Sequence, residues 1–306
     1  MRHDFEPASE TNLSIQALLL RRYWKRRRRQ GGLLCLACTF ALTSLAAGRG
    51  DASTVDQAWS ILHDGMSDNS SDQRMKAVHA LGLLDRNRRA AEMAEKSLSD
   101  ENADVRTASA TTLGQIGLES SRRKLREALN DKEIKVVLAA ANALYALKDP
   151  AAYDVYYAIL TGQRKGTPGL IQSQLDMLRT RKGIEKMAFQ AGLGFVPYGG
   201  MGYEAWKTIS QNGDIAVRVD SAAKLARDPD PKSGQALAEA CLDNKWQIRV
   251  AVIDAIAKRG DPGLLYAVIP LMQDNSDTVR YQAAAAVLQL TYHPDRRYRS
   301  RTRAEH

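Results

Sequence analysis

The chain has few of the residues that covalent stapling, metal binding and nucleophilic catalysis draw on. It holds three cysteines in 306 residues. Cys35 and Cys38 both precede Gly48, so no even disulfide framework is left for the remainder. Cys241, between Ala238 and Leu242 in an apolar stretch, reads as a small buried thiol. The five histidines are His3, His63, His79, His293 and His306, and no two have the spacing of a metal pair. No metal site and no cofactor is therefore expected, and no catalytic triad assembles from these histidines and a buried thiol. His79 reads as a partly packed helix residue. Glycines are present, but no Lys-Ser or Lys-Thr follows them in the frame of a phosphate-binding loop.

What the chain does have is a repeat. Val105-Arg106 with Ala110 and Leu113 returns as Val217-Arg218 with Ala222 and Leu225. It returns again as Ile248-Arg249 with Ile256, and as Val279-Arg280 with Ala284 and Val287. Arg74 with Leu81 is an earlier copy, and Val136-Val137 with Leu144 keeps the apolar frame but lacks the arginine. The last three arginines are evenly spaced, and Asp100, Asp131, Asp243 and Asp274 keep the same time. A period of about 30 residues marks stacked helical units, each burying its apolar face only against its neighbours. Within a unit the apolar residues fall at helical spacing, and Gly117, Gly260, Asp149-Pro150, Asp228-Pro229 and Asp261-Pro262 mark the turns. A second helix follows in each unit, predicted at Ser121–Leu129, Ala151–Leu160, Lys232–Leu242 and Pro262–Met272.

The Val-Arg, alanine-rich and Leu-Gly run, as in Val105-Arg106…Leu113-Gly114, resembles the HEAT-repeat family, in particular the short HEAT-like repeats of phycobilisome lyases. The resemblance covers roughly residues 70–292 and implies an all-α solenoid of about seven helix–turn–helix units. HEAT-repeat hydroxylases of the deoxyhypusine type carry His-Glu dipeptides that bind iron, and this chain has no such dipeptide. The recurring Arg106, Arg218, Arg249 and Arg280 are expected to form a structural ladder, pairing with Asp100, Asp131, Asp243, Asp274 or with turn carbonyls between repeats.

One period after Val137 falls at Pro168, and Leu175 lies one period after Leu144, so Gln174–Leu178 and Ile184–Ala191 are expected to form a degenerate fourth repeat. Residues 194–213 are then an insertion. Gly192 to Trp206 packs five glycines, four aromatics and one proline into a single short stretch. Phe195, Tyr198, Tyr203 and Trp206 are the candidate partner-binding residues, since tyrosine and tryptophan dominate interface hot spots. A helical hairpin plugging the solenoid and a membrane-dipping segment stay open as readings of the same stretch.

Residues 1–48 carry the basic block Arg21–Arg29, then an uncharged run from Gly31 to Gly48 that ends in small residues. That order describes an export signal or a signal anchor. Residues 49–69 read as a linker or N-terminal cap, 70–292 as the solenoid and 293–306 as a basic tail. Of the net charge of +9, residues 1–48 hold +5 and residues 295–306 hold +3, which leaves +1 for the array. A balanced array is not a nucleic-acid surface, so no nucleic acid is expected as a partner. The sequence thus reads as a non-catalytic protein-interaction scaffold. It is expected to be exported, periplasmic or anchored in a bacterial inner membrane by its N-terminal segment. A bilin-lyase-like enzyme, or an accessory protein holding a tetrapyrrole, is the alternative.

Overall fold

The computed structural model describes residues 52–161 and 211–291. Among these residues there are twelve α-helices and no strand. In chain order they are α1 (Ala52–Met66), α2 (Ser71–Leu81), α3 (Arg88–Ser97), α4 (Ala103–Ile116), α5 (Arg122–Ala128), α6 (Ile134–Ala146) and α7 (Ala151–Thr161). The second block holds α8 (Gly213–Leu225), α9 (Pro231–Ala240), α10 (Trp246–Arg259), α11 (Leu265–Val268) and α12 (Asp277–Thr291).

Local chemistry sets the ends of these helices. Asn102 accepts from the backbone N–H groups of Asp104 and Val105 at the start of α4, and Gly117, at φ 74°, closes it in the left-handed conformation. Gly260 ends α10 in the same way at φ 66°. Asp230 caps α9, whose first residue is Pro231, one residue before the expected start at Lys232. The unit after α10 does not hold a continuous second helix. It is broken into a 3-10 turn (Pro262–Leu264), the four-residue α11 and another 3-10 stretch (Ile269–Gln273). Pro270 lacks the N–H that a continuous helix would use there.

The first helices of successive units (α2, α4, α6 and α8, α10, α12) pack on one another, with the second helices against them on one side. Small residues bring the axes close. A Cβ on Gly114 of α4 would lie 2.9 Å from Cα of Ala143 on α6. Alanines such as Ala139, Ala140, Ala283 and Ala284 are fully buried along the same layer. Leu62, Leu81, Leu113, Leu144, Leu237 and Ile256 belong to a single apolar core. Core of this density is what specifies one packing of the array.

The order of the units in space differs from their order in the chain. The last described helix, α12, packs against both α1 and α2. The stack therefore runs α8, α10, α12, α2, α4, α6, and the C-terminal block precedes the N-terminal one. Residues 49–69, read from sequence as a linker or cap, contain α1, which takes the place of a second helix. It packs on α12 and on α2, as α3 packs on α2 and α4. One repeat is thus composite, its first helix drawn from the C-terminal block and its second from the N-terminal block.

Candidate functional site

The recurring arginines lie between units, and Arg74, Arg106 and Arg249 each hold two turns together. Arg106 Nη1 donates to the backbone carbonyls of Asp100 at 2.8 Å and Glu101 at 3.1 Å, in the turn that opens its own unit. Its Nε and Nη2 donate to the Asp131 carboxylate of the next turn at 2.7 and 2.9 Å. Asp131 in turn accepts from the backbone N–H of Glu133 at 2.8 Å, which shapes that turn. Arg74 repeats the arrangement with the carbonyls of Asp68 and Asn69 and the carboxylate of Asp100. Arg249 repeats it with the carbonyls of Asp243 and Asn244 and with Asp274 at 2.6 Å. Arg218 pairs with Asp243. Planar guanidinium forks suit this double task, which one lysine ammonium cannot fill.

Arg280 departs from the ladder. It holds the carbonyls of Asp274 and Asn275, but its Nη2 pairs with Asp277 on its own helix instead of an aspartate one period further on. The next unit in space is the N-terminal one, and there Gln73 takes over the contact: its amide donates to Asp277 and its carbonyl oxygen accepts from Tyr281. Asp68, whose carboxylate accepts from Ser70 N–H at 2.7 Å, stands where Asp100 and Asp131 stand in later units. Asp68, Arg74 and Gln73 therefore belong with the ladder residues. Of the three, the repeat pattern drew attention to Arg74 alone, and not as a ladder member. The available signal was Asp68, which precedes Asp100 by about one period.

Where Val137 replaces the arginine, second-helix residues make the joint. Arg126 pairs with Asp149 at 2.7 Å, and Arg122 donates to the carbonyl of Leu147 at 2.6 Å. Asp149 is buried, and burial pushes its carboxyl up, but the Arg126 bond, the Ala151 N–H and the charges of Arg126 and Arg122 together hold it below the usual carboxylate range. At Asp100 the same opposition, burial against the bond from Arg74, also ends below the usual range. Arg74, Arg106, Arg249 and Arg280 each engage protein partners through more than one bond, although the buried Nε of Arg249 has none.

Of the other titratable candidates, Cys241 and Asp254 are buried and His79 is half-buried. Burial lowers His79 to about 4, and its Nδ1 is sealed without a partner. Burial raises the Cys241 thiol to about 12. It also raises Asp254, which Lys258 holds at 2.7 Å. Among the described residues, no three His, Cys, Asp or Glu side chains come together as ligands for a metal ion. No described helix is long and apolar enough to cross a membrane. Phe195, Tyr198, Tyr203 and Trp206, the export segment 1–48, the fourth-repeat stretch and the tail 293–306 lie outside the described residues.

The family model for HEAT repeats matches residues 58–147, 91–164 and 204–289, well over half of the chain. The chain belongs to the HEAT-repeat family. Among solved structures it is similar to human deoxyhypusine hydroxylase in complex with glycerol, at 17% identity over 78% of this chain and 85% of that one, with a TM-score of 0.27. An engineered protein is similar at 13% identity over 78% of this chain and 97% of its own, with a TM-score of 0.24. No curated protein matches the chain. As a HEAT-repeat protein it is a repeat scaffold, an architecture that serves many functions.

Proposed function

We propose that this HEAT-repeat chain is a non-catalytic interaction scaffold, exported or held at a membrane by residues 1–48, that binds a protein partner. The observation that carries the reading is the use made of the polar side chains in the array. The ladder arginines and aspartates are consumed in joints between units. The second helices α3 and α5, in contrast, present Arg88, Glu92, Arg123 and Glu127 to solvent in exposed pairs. Such pairs add little to stability, so this outer face is free to vary for contact without cost to the stack. The basic block and the uncharged run of residues 21–48 support export or tethering.

The test is a crosslinking pull-down from the native host with a tagged full-length chain. Phe195→Ser/Tyr198→Ser/Trp206→Ser and Arg88→Glu/Arg123→Glu variants run beside it, each first shown to melt like the wild type. A discrete protein lost with either variant supports the scaffold and locates its contact. Recovery of a coloured small molecule and no protein would overturn it.

A further inference from the structure

The turns inside the units and the turns between them lie on opposite edges of the stack. Helices α2, α4 and α6 begin at the ladder turns, so their ends at Leu81, Ile116 and Ala146 mark the other edge. There the backbone N–H of Arg86 donates to the carbonyl of Ile116 at 2.9 Å and ties two neighbouring turns together. Helix α1 runs toward the ladder edge, since Gly65, near its end, meets Tyr281, near the start of α12. Its first residue, Ala52, therefore stands on the edge of Arg86.

This edge is basic and carries exposed aromatics. In two of its turns glycine takes the left-handed conformation, Gly117 at φ 74° and Gly260 at φ 66°. Arg86 at φ 49° and Lys148 at φ 57° stand at the matching places, which strains the backbone as glycine does not. The bond to Ile116 needs only a backbone N–H, so it does not call for arginine. Both side chains are exposed, and among the described residues neither is paired with a carboxylate. Arg88, Arg89, Arg122 and Arg123 open α3 and α5 on the same edge and outnumber Asp85 and Glu119. Beside Lys148, Tyr145 and Tyr153 are 55% and 60% exposed, their rings edge-on at 5.9 Å. The ladder turns, with Asp68, Asp100, Glu101 and Asp131, have the opposite charge.

On the reading that residues 1–48 hold the chain at a membrane, we infer that this edge makes a second membrane contact, seating Arg86, Lys148, Tyr145 and Tyr153 on anionic lipid headgroups. Tyrosine rings lie well at the headgroup level, and long basic side chains reach lipid phosphate from there. The uncharged run ends at Gly48, four residues before Ala52, so it joins the fold at this edge within a reach of about 14 Å. A single-stranded nucleic acid would use the same cations and rings. The position of Ala52 is what favours lipid. The acidic ladder edge then faces away from the bilayer, so charge and tether impose the same orientation.

Hydrogen exchange on the full-length chain tests the contact, with vesicles of phosphatidylcholine alone or mixed with phosphatidylglycerol. Retention on the vesicles through an alkaline carbonate wash reports the tether separately. Amides of residues 83–89 and 147–153 are expected to slow about tenfold with phosphatidylglycerol, while those of 98–103 and 129–133 do not change. Arg86→Gly/Lys148→Gly should melt no lower than the wild type, because glycine suits the left-handed position, and should lose that slowing. Equal exchange with both vesicles, or slowing that survives the glycine variant, overturns the contact and leaves the tether standing. Loss of the chain in the carbonate wash overturns the tether, and the contact with it. Slowing of the same turns by a soluble oligonucleotide and not by vesicles would assign the edge to nucleic acid and overturn the contact as well.

Discussion

Tyr281 donates its hydroxyl hydrogen to Gln73 Oε1 at 3.2 Å, a bond between residues 208 positions apart in the chain. The seam is close-packed as well as polar. A Cβ on Gly65 of α1 would lie 2.5 Å from the Tyr281 ring. The two ends of the described chain are therefore fitted to each other as tightly as consecutive units are.

The seam glycine gives the first prediction. Gly65→Val is expected to destabilise the chain by about 1–3 kcal/mol through overpacking against a rigid ring. Gly213, at the start of α8, has nothing within 4 Å of where a Cβ would stand, so Gly213→Ala should be neutral or stabilising by about 1 kcal/mol at most. Urea titration of both variants checks the contrast, and equal losses would refute the seam.

The ladder gives the second. Arg106 and Asp131 are 8% and 12% exposed, so Arg106→Ala leaves a nearly buried carboxylate without its partner and is expected to cost about 3–5 kcal/mol. Arg106→Met/Asp131→Asn should recover part of that loss, because no uncompensated charge is left. Arg218 is 43% exposed, and Arg218→Ala should cost no more than about 1 kcal/mol. Denaturation midpoints rank the three, and a larger loss at Arg218 than at Arg106 would contradict the ranking by burial.

Acid sensitivity follows from His79. Burial lowers it from the ordinary 6.5 to about 4, so the folded state favours the neutral ring and the unfolded chain binds the proton first. Its contribution is complete above pH 6.5 and is lost as pH falls toward 4. Asp100, also lowered, acts in the same direction but only as pH falls below the unfolded carboxylate value of 3.8. His79→Leu should therefore flatten the stability profile between about pH 6.5 and 4.5 and leave the steeper fall below it. Urea midpoints at neutral pH and at the acid end of that window test this, and an unchanged slope would assign the effect elsewhere.

Thiol chemistry supplies the fourth. With the thiol pushed up to about 12 and buried, Cys241 holds only a trace of thiolate near neutral pH. In Cys35→Ser/Cys38→Ser protein, a thiol reagent in mildly alkaline buffer should modify nothing in the native state and one group per chain in urea. Rapid native labelling would mean that the end of helix α9 opens.

The unit was legible in the sequence because every unit solves the same problem: an aspartate shapes a turn, and an arginine staples it to the next. Periodicity reports what each unit needs on its two faces and is silent on which unit supplies it. Gln73, polar where Val105 and Val136 are apolar, was the visible trace of an unusual neighbour. Its meaning depends on Asp277 and Tyr281, which no local pattern connects to it. Helix α1 was hidden for the same reason, since its first-helix partner, α12, comes from the other end of the chain. Pro270 does show in the sequence, and it accounts for the broken helix before Asp274.

The composite repeat also imposes a schedule on synthesis. Helices α1 and α2 leave the ribosome with the face that Tyr281 will cover still bare, and more than half of the chain must follow before α12 exists. At about 5–20 residues per second, that interval is roughly ten to forty seconds. Through that interval the nascent chain carries an unmatched face on α1 around Gly65, where the Tyr281 ring will later pack. The stack cannot finish folding from its N-terminus onward, because the neighbour of its first unit is among the last helices made.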